Sequence, residues 1–395
     1  MAPPSPTNRR AARIVTVDDA RRLARRRLPR MVFDYIDGGS DGEATMRANR
    51  AAFEAVGFVP RMGATRGVPD LSTTVLGAPV SLPVLLSPVG YSRMMHPEGD
   101  VAGARAAGAA GTIFTLSSMS GHTIEEVAAA RSGPVWFQLY FLGGRAGVEH
   151  LIDRAQRTGY SALAVTIDTQ IIGNRERDLR NGLRGALRID LSNALRFGPQ
   201  IARRPRWFAG FAREGLRLDI VNATSMGGDT PMSVAEATQA MSTFPPTWED
   251  FAWIREQWRG PIVAKGVITA DDARRAVDCG VSAIVVSNHG GRQLDGMAPS
   301  LPAMVQILDA VGDRVEVLVD GGVRRGSDVA RAVALGARAV MVGRPWAWSL
   351  GAAGQAGVER ILTMFRTELD RTLRLLGCPS IAALDRRFVA PPAAW

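Results

Sequence analysis

Residues 283–296 read AIVVSNHGGRQLDG, an apolar run that ends in a histidine, two glycines and an arginine. A neutral imidazole removes a proton near neutral pH. An arginine holds a carboxylate through two parallel hydrogen bonds. Asp168 closes the separate run SALAVTID, and a buried carboxylate of that kind orients an imidazole and stabilises its charged form. A base, an anion clamp and an orienting acid together suit a 2-hydroxy acid. The hydroxyl proton would go to His289, and the carboxylate to Arg292 and a second arginine. Oxidising the adjacent C–H bond needs an electron acceptor that no side chain here supplies.

The elements that must position these residues are eight short apolar runs, at 84–90, 111–118, 134–140, 161–168, 261–267, 282–288, 315–322 and 338–344. Near-continuous apolar runs mark strands buried on both faces. The segments between them carry helix signals, such as the Thr cap and closing glycine of TADDARRAVDCG and the Ser cap of RRGSDVARAVALG. Alternating strands and helices in this number predict an α/β fold, a (β/α)8 TIM barrel, with an open sheet as the alternative. Such a barrel keeps its site at the C-terminal strand ends. Those ends carry Gly90, Ser117, Gln138 with Tyr140, Thr166 with Asp168, Lys265, Ser287 with His289, Asp320 with Gly321 and Gly322, and Gly343 with Arg344.

The last two ends, DGGVRRG and VGRP, bring glycine N–H groups together with Arg324 and Arg344. That is a phosphate cradle after strands seven and eight, and a phosphate-bearing flavin fits it. Lys265 is the single lysine among 48 Lys and Arg residues. Wherever any cation serves, the sequence has arginine, so Lys265 is expected to do what a broad guanidinium does not. A place beside the negative charge of a reduced flavin ring is such a task.

Two parts stand outside the repeat: a helical N-terminal extension and a long insertion, residues 170–246, after the fourth strand. Within the insertion, residues 183–217 mix arginines with Leu, Phe and Trp. They read as a lid or disordered loop over the barrel mouth, or as a basic amphipathic surface that touches a membrane. Residues 1–13 read as a disordered tail, 14–385 as one barrel domain and 386–395 as a C-terminal tail. With 395 residues, 46% hydrophobic and 22% charged, the chain is globular, and no apolar run reaches the roughly 18–20 residues of a membrane span. Only Cys279 and Cys378 are present, which fits a reducing, cytoplasmic setting. The net charge of +10 is spread over scattered arginines. No nucleic-acid motif accompanies it, so no nucleic-acid partner is expected, and no metal site is expected either.

Together, SNHGGRQLDG, DGGVRRG, VGRP, VAKGV, QLY and TIDT resemble the FMN-dependent 2-hydroxy acid oxidases and dehydrogenases, over roughly residues 16 to 385. That family includes glycolate oxidase, L-lactate dehydrogenase and mandelate dehydrogenase. The resemblance implies FMN as cofactor and oxidation of an (S)-2-hydroxy acid to the 2-oxo acid. It assigns His289 as base, Asp168 as its partner, Arg292 and Arg175 to the substrate carboxylate, and Tyr35 and Tyr140 to the face of the substrate. It places Lys265 beside the flavin ring, Ser117, Gln138, Thr166 and Ser287 against it, and the backbone of Val89 and Gly90 on its N5 side. Asp320, Gly321, Gly322 and Arg324 would hold the ribityl chain and phosphate, with Gly343 and Arg344. Met119 stands where glycolate oxidase has tryptophan, which leaves more room for the substrate. GNRERDLRNG and RPRWFAGFAREG are most similar to the bacterial mandelate and L-lactate dehydrogenases. That branch implies a quinone as electron acceptor, with oxygen the alternative, peripheral contact with the inner face of the cell membrane, and a homotetramer. Other members oxidise an amine-bearing ring during biosynthesis of a peptide-derived redox cofactor. A barrel that binds phosphosugars without redox chemistry is the reading outside the family.

Overall fold

The computed structural model describes residues 6–64, 66–182, 191–213, 219–224 and 230–395. Runs of Val, Ile, Leu and Ala without polar alternation become strands buried on both faces. They are β1 Val84–Leu86, β2 Phe114–Ser117, β3 Val135–Leu139, β4 Ala162–Thr166, β5 Ile262–Val267, β6 Ala283–Val286, β7 Glu316–Val319 and β8 Ala339–Val342. All eight lie within the apolar runs of the sequence. Each pairs with its neighbours in parallel and β8 returns to β1, so the sheet closes into a barrel rather than staying open.

Alternate side chains of a strand point inward. Leu85, Trp136, Ala164, Val263, Leu318 and Met341 fill the interior as one apolar cluster. Two residues further along the same strands come Ser87, Gln138, Thr166, Lys265, Asp320 and Gly343. The inner face therefore turns from apolar to polar at the C-terminal end. A hairpin of Thr73–Val75 and Ala78–Val80 adds Val75 and Val80 to the apolar cluster. Its Leu76 N–H donates to Glu316, the first residue of β7, at 3.0 Å. The hairpin plugs the N-terminal end and leaves the other end for a site.

The helix signals are mostly used as read. Thr269 caps the helix Ala270–Asp278, accepting from the Asp272 N–H. Ser327 is an exception, because it lies inside the helix Gly326–Ala334, and Asp328 instead accepts the N–H groups of Arg324 and Arg325. Cys279 and Cys378 are free thiols.

Both ends of the chain differ from the tails expected of them. Within 1–13, Pro6–Ala11 forms a helix packed on the long helix Arg344–Leu376, and residues 1–5 lie outside the described residues. Burial of Ala11 and Ile14 explains that docking. At the other end, Val389–Ala390 pairs antiparallel with Gly57–Phe58, and Phe388 and Val389 are buried. Residues 386–395 thus form a clasp on the N-terminal extension.

Of the stretch 183–217, residues 183–190 and 214–217 lie outside the described residues. The rest is two helices, Leu191–Ala202 and Pro205–Arg213, packed against the extension and the loop after β1. Phe197 is buried, the Met31 N–H donates to the Gln200 side chain at 3.2 Å, and Trp207 Nε1 donates to the Met94 carbonyl at 2.7 Å. A packed cover describes these residues better than a disordered loop. No helix among the described residues is long and apolar enough to cross a membrane.

Candidate active site

The polar strand ends open into a cavity of about 1040 Å³. His289 sits there on a left-handed backbone (φ 57), held by its own N–H donating to Ser287 Oγ at 3.0 Å. Its Nδ1 lies 3.0 and 3.1 Å from the two carboxylate oxygens of Asp168. That pairing leaves Nε2 for a ligand. Burial works against the charge on Asp168, but His289 and then Lys265 outweigh it and hold the carboxyl below its ordinary range. Thr169 Oγ1 donates to the same carboxylate at 3.0 Å. The approach of Asp168 depends on Gly266 of β5. There φ is +102, and a Cβ would stand 2.6 Å from the Asp168 Cβ and Cγ. Sequence reasoning passed over Gly266, although a glycine inside a strand signals a close approach.

Arg292 reaches the same cavity. Its NH1 donates to the carbonyls of Tyr35 (2.6 Å) and Gly38 (2.9 Å), and its guanidinium stands 5.1 Å from the Tyr35 ring centroid. Burial, with the charge of Arg175 beside it, pushes Arg292 down to about 9. Arg175 lies 6.0 Å from the same ring, and its Nε is buried with no hydrogen-bond partner. Two neighbouring guanidinium groups short of negative charge make an anion site. Tyr140 and Met119 line the cavity with them. Burial first, and then the Asp168 charge, holds the Tyr140 phenol protonated well above its ordinary value.

The site also contains a group that sequence reasoning missed. Asp178 lines the cavity, its Oδ1 lacks a partner, and burial raises its pKa against the pull of Arg292 and Arg175. Only the spacing of Asp178 three residues after Arg175 hinted at it.

On the other side of the cavity, Lys265 Nζ donates to Asp320 Oδ2 at 2.7 Å and to Ser287 Oγ at 3.1 Å. Burial opposes its charge, but Asp320 and Asp168 prevail and raise its pKa. Ser117 Oγ donates to Gln138 Oε1 at 2.8 Å, which fixes the amide and leaves Gln138 Nε2 open. Besides Arg175 Nε and Asp178 Oδ1, five buried polar atoms on cavity-lining residues lack partners: Gln138 Nε2, Thr166 Oγ1, Asp320 Oδ1, Ser87 Oγ and the Tyr91 hydroxyl. Buried polar groups are rarely left so unless a ligand or water satisfies them. Donors and acceptors ringed around a buried ammonium fit the polar edge of a flavin. Val89, Gly90, Gly321 and Gly343 line the cavity with them.

Three expected cofactor residues have other partners as well. Ser287 is fully buried, and its Oγ accepts from the Lys265 ammonium and the His289 N–H. Gly322 is glycine because a Cβ would stand 2.4 Å from the Asn49 carbonyl oxygen. Arg344 lines the cavity but donates to the carbonyls of Ile36, Gly38 and Gly290 at 3.1, 2.7 and 2.7 Å. Its guanidinium is pushed down to about 9 by burial and by Arg324 nearby. Arg324, 5.0 Å from the Trp348 ring centroid, is pushed down to about 10 by burial and Arg50. A phosphate between Arg324 and Arg344 would relieve both.

A closed parallel barrel, a buried ammonium among unsatisfied polar groups and a His–Asp pair beside two arginines define a flavin-dependent oxidoreductase. Residues 24–391 match the family model of the FMN-dependent dehydrogenases, and the chain belongs to that family. FMN is therefore its cofactor, and the family is that of the 2-hydroxy acid oxidases and dehydrogenases. The chain is 45% identical over 387 residues to the pre-mycofactocin synthase of Mycobacterium tuberculosis, covering 96% of this chain and 95% of that protein. It is 39% identical to the glycolate oxidase of Spinacia oleracea, covering 95% and 96%. Among solved structures it resembles (S)-mandelate dehydrogenase, a monotopic membrane protein, at a TM-score of 0.89 and 35% identity, covering 96% and 100%.

Proposed function

We propose that this protein oxidises an (S)-2-hydroxy acid, lactate- or mandelate-like, to the 2-oxo acid. The observation that carries this reading is the open nitrogen of His289 in one cavity with two arginines that form no ion pair among the described residues. Arg175 and Arg292 hold the carboxylate and thereby set C2 against the base. Tyr140, kept protonated by burial, and Tyr35 donate to the substrate oxygens. His289 Nε2 takes the hydroxyl proton, and the Asp168 carboxylate stabilises the resulting imidazolium. Bound FMN supplies the two-electron acceptor that the side chains lack. The test is anaerobic addition of lactate, mandelate, glycolate and longer 2-hydroxy acids to the purified holoprotein. Bleaching of the flavin is expected, and failure of every acid to bleach it would sink the reading. Reoxidation by oxygen, compared with a quinone analogue, separates oxidase from dehydrogenase in the same cuvette.

A second reading is favoured by the 45% identity to pre-mycofactocin synthase: oxidation of an amine-bearing ring in a peptide-derived molecule. Bleaching by such an amine and by none of the hydroxy acids would select it. The arginine pair supports the first reading, because a carboxylate satisfies two guanidinium groups and an amine satisfies neither.

A further inference from the structure

The carboxylate and hydroxyl of a 2-hydroxy acid account for His289 and the arginines, FMN accounts for the polar wall around Lys265 and Arg344, and the apolar rim of the cavity is left without a task. Eleven large hydrophobic side chains are exposed among the described residues. Four of them line this one cavity and therefore stand at its opening: Ile171 (67% exposed), Ile172 (38%), Leu179 (47%) and Leu294 (69%). Clustering of exposed apolar groups at the mouth of a pocket marks a binding surface, whereas scattered ones do not.

The rim is built into the same two loops as the head-group residues. Ile171 and Ile172 lie between Asp168 and Arg175, and Leu179 follows Asp178. Leu294 comes two residues after Arg292. The loops are locked to each other. Gln293 Nε2 donates to the carbonyls of Asp168 (3.0 Å) and Ile171 (2.9 Å), and a Cβ on Gly173 would stand 2.4 Å from the Arg292 carbonyl oxygen. The spacing from clamp to rim is thus fixed before substrate arrives. Between them the wall carries thioethers, Met119 from the β2 end and Met241 from the insertion helix Val234–Thr243. Unbranched thioethers adapt to apolar tails of different shape.

We propose that the Ile171, Ile172, Leu179 and Leu294 rim binds the apolar tail of the substrate. The preferred substrates are then 2-hydroxy acids whose tail is several carbons longer than the methyl group of lactate. This inference rests on the hydroxy acid reading above. The test is kcat/KM, by anaerobic flavin bleaching, for lactate, 2-hydroxybutyrate, 2-hydroxyhexanoate and 2-hydroxyoctanoate. A rise of about three- to four-fold per methylene is expected, carried by KM, as each CH2 leaves water. In Leu294→Ser, checked for FMN content to show that it is folded, the rise per methylene becomes shallower. A kcat/KM that is flat or falls beyond lactate overturns the proposal while leaving the hydroxy acid reading standing. An undiminished rise in Leu294→Ser removes the rim from it. Failure of all four acids to bleach the flavin overturns both.

Discussion

At the residue scale, His289 is held by three contacts that leave it one task. Ser287 fixes its backbone, Asp168 takes Nδ1, and the left-handed turn aims the ring into the cavity. Replacing the ring by an amide of similar reach keeps the polar wall and removes the base. His289→Gln is expected to retain FMN while anaerobic flavin reduction slows by about 10²–10⁴-fold, the usual contribution of a positioned base. Reduction at the wild-type rate in stopped flow would refute the assignment. Much of this set was legible in the sequence because a strand end with His, Asp or Lys in a polar cluster has few structural uses. The alternative partners of Ser287 and Arg344 were not legible. They depend on which carbonyls and ammonium groups other strands bring near, and no local spacing encodes that.

At the element scale, the N-terminal extension is as much a part of the site as the barrel. The helix Arg30–Asp37 carries Tyr35, whose carbonyl accepts from Arg292. At its end, buried Asp37 accepts from Arg21 at 2.5 and 2.8 Å and from Arg177 at 2.7 Å. Arg177 lies on the short helix Glu176–Arg180, which follows directly on Arg175. Asp37 therefore ties the element bearing Tyr35 to the loop bearing Arg175. Burial alone would raise its pKa, but Arg21 and Arg177 prevail and hold it low. A depressed carboxyl pKa contributes stability that is present above the unfolded value of about 3.9 and is lost as pH falls through the folded value. Asp37→Asn leaves Arg177 and Arg21 without their shared carboxylate. A loss on the order of 3 kcal/mol is expected at pH 7, shrinking as the pH drops below about 4, with a raised KM as Arg175 and Tyr35 loosen. Urea melts at pH 7 and pH 3.5 measure this, and an equal loss at both would rule out the ionic account. The barrel strands were legible because uninterrupted apolar runs have a recognisable pattern. The tie through Asp37 spans 140 residues, and no periodicity announces it.

For the whole molecule, the least legible feature was closure of the C-terminal strand on the N-terminal extension. A two-residue strand has no period to detect, so residues 386–395 looked like a tail. Val389–Ala390 nevertheless pairs with Gly57–Phe58, the Val59 N–H donates to the Phe388 carbonyl at 2.9 Å, and Arg61 lies over the Phe388 ring. The clasp closes on the chain just after the helix Ala44–Glu54. That helix carries Asn49, whose amide exchanges hydrogen bonds with Asn288, next to His289, at 2.8 and 2.9 Å. Burial of Phe388 and Val389 is worth about 1.5–3 kcal/mol each as an upper estimate, against a total stability of roughly 5–15 kcal/mol. A chain ending at Asp385 is therefore expected to fold and to melt several degrees lower with FMN saturating. The flavin site should also loosen, because the helix that supports Asn288 loses its tether. Scanning calorimetry and flavin fluorescence during the melt read the two effects together. An unchanged melting temperature would mean that the C-terminal strand pair contributes nothing to the native state. A lower one with FMN still released only at global unfolding would confine the clasp to stability and detach it from the site.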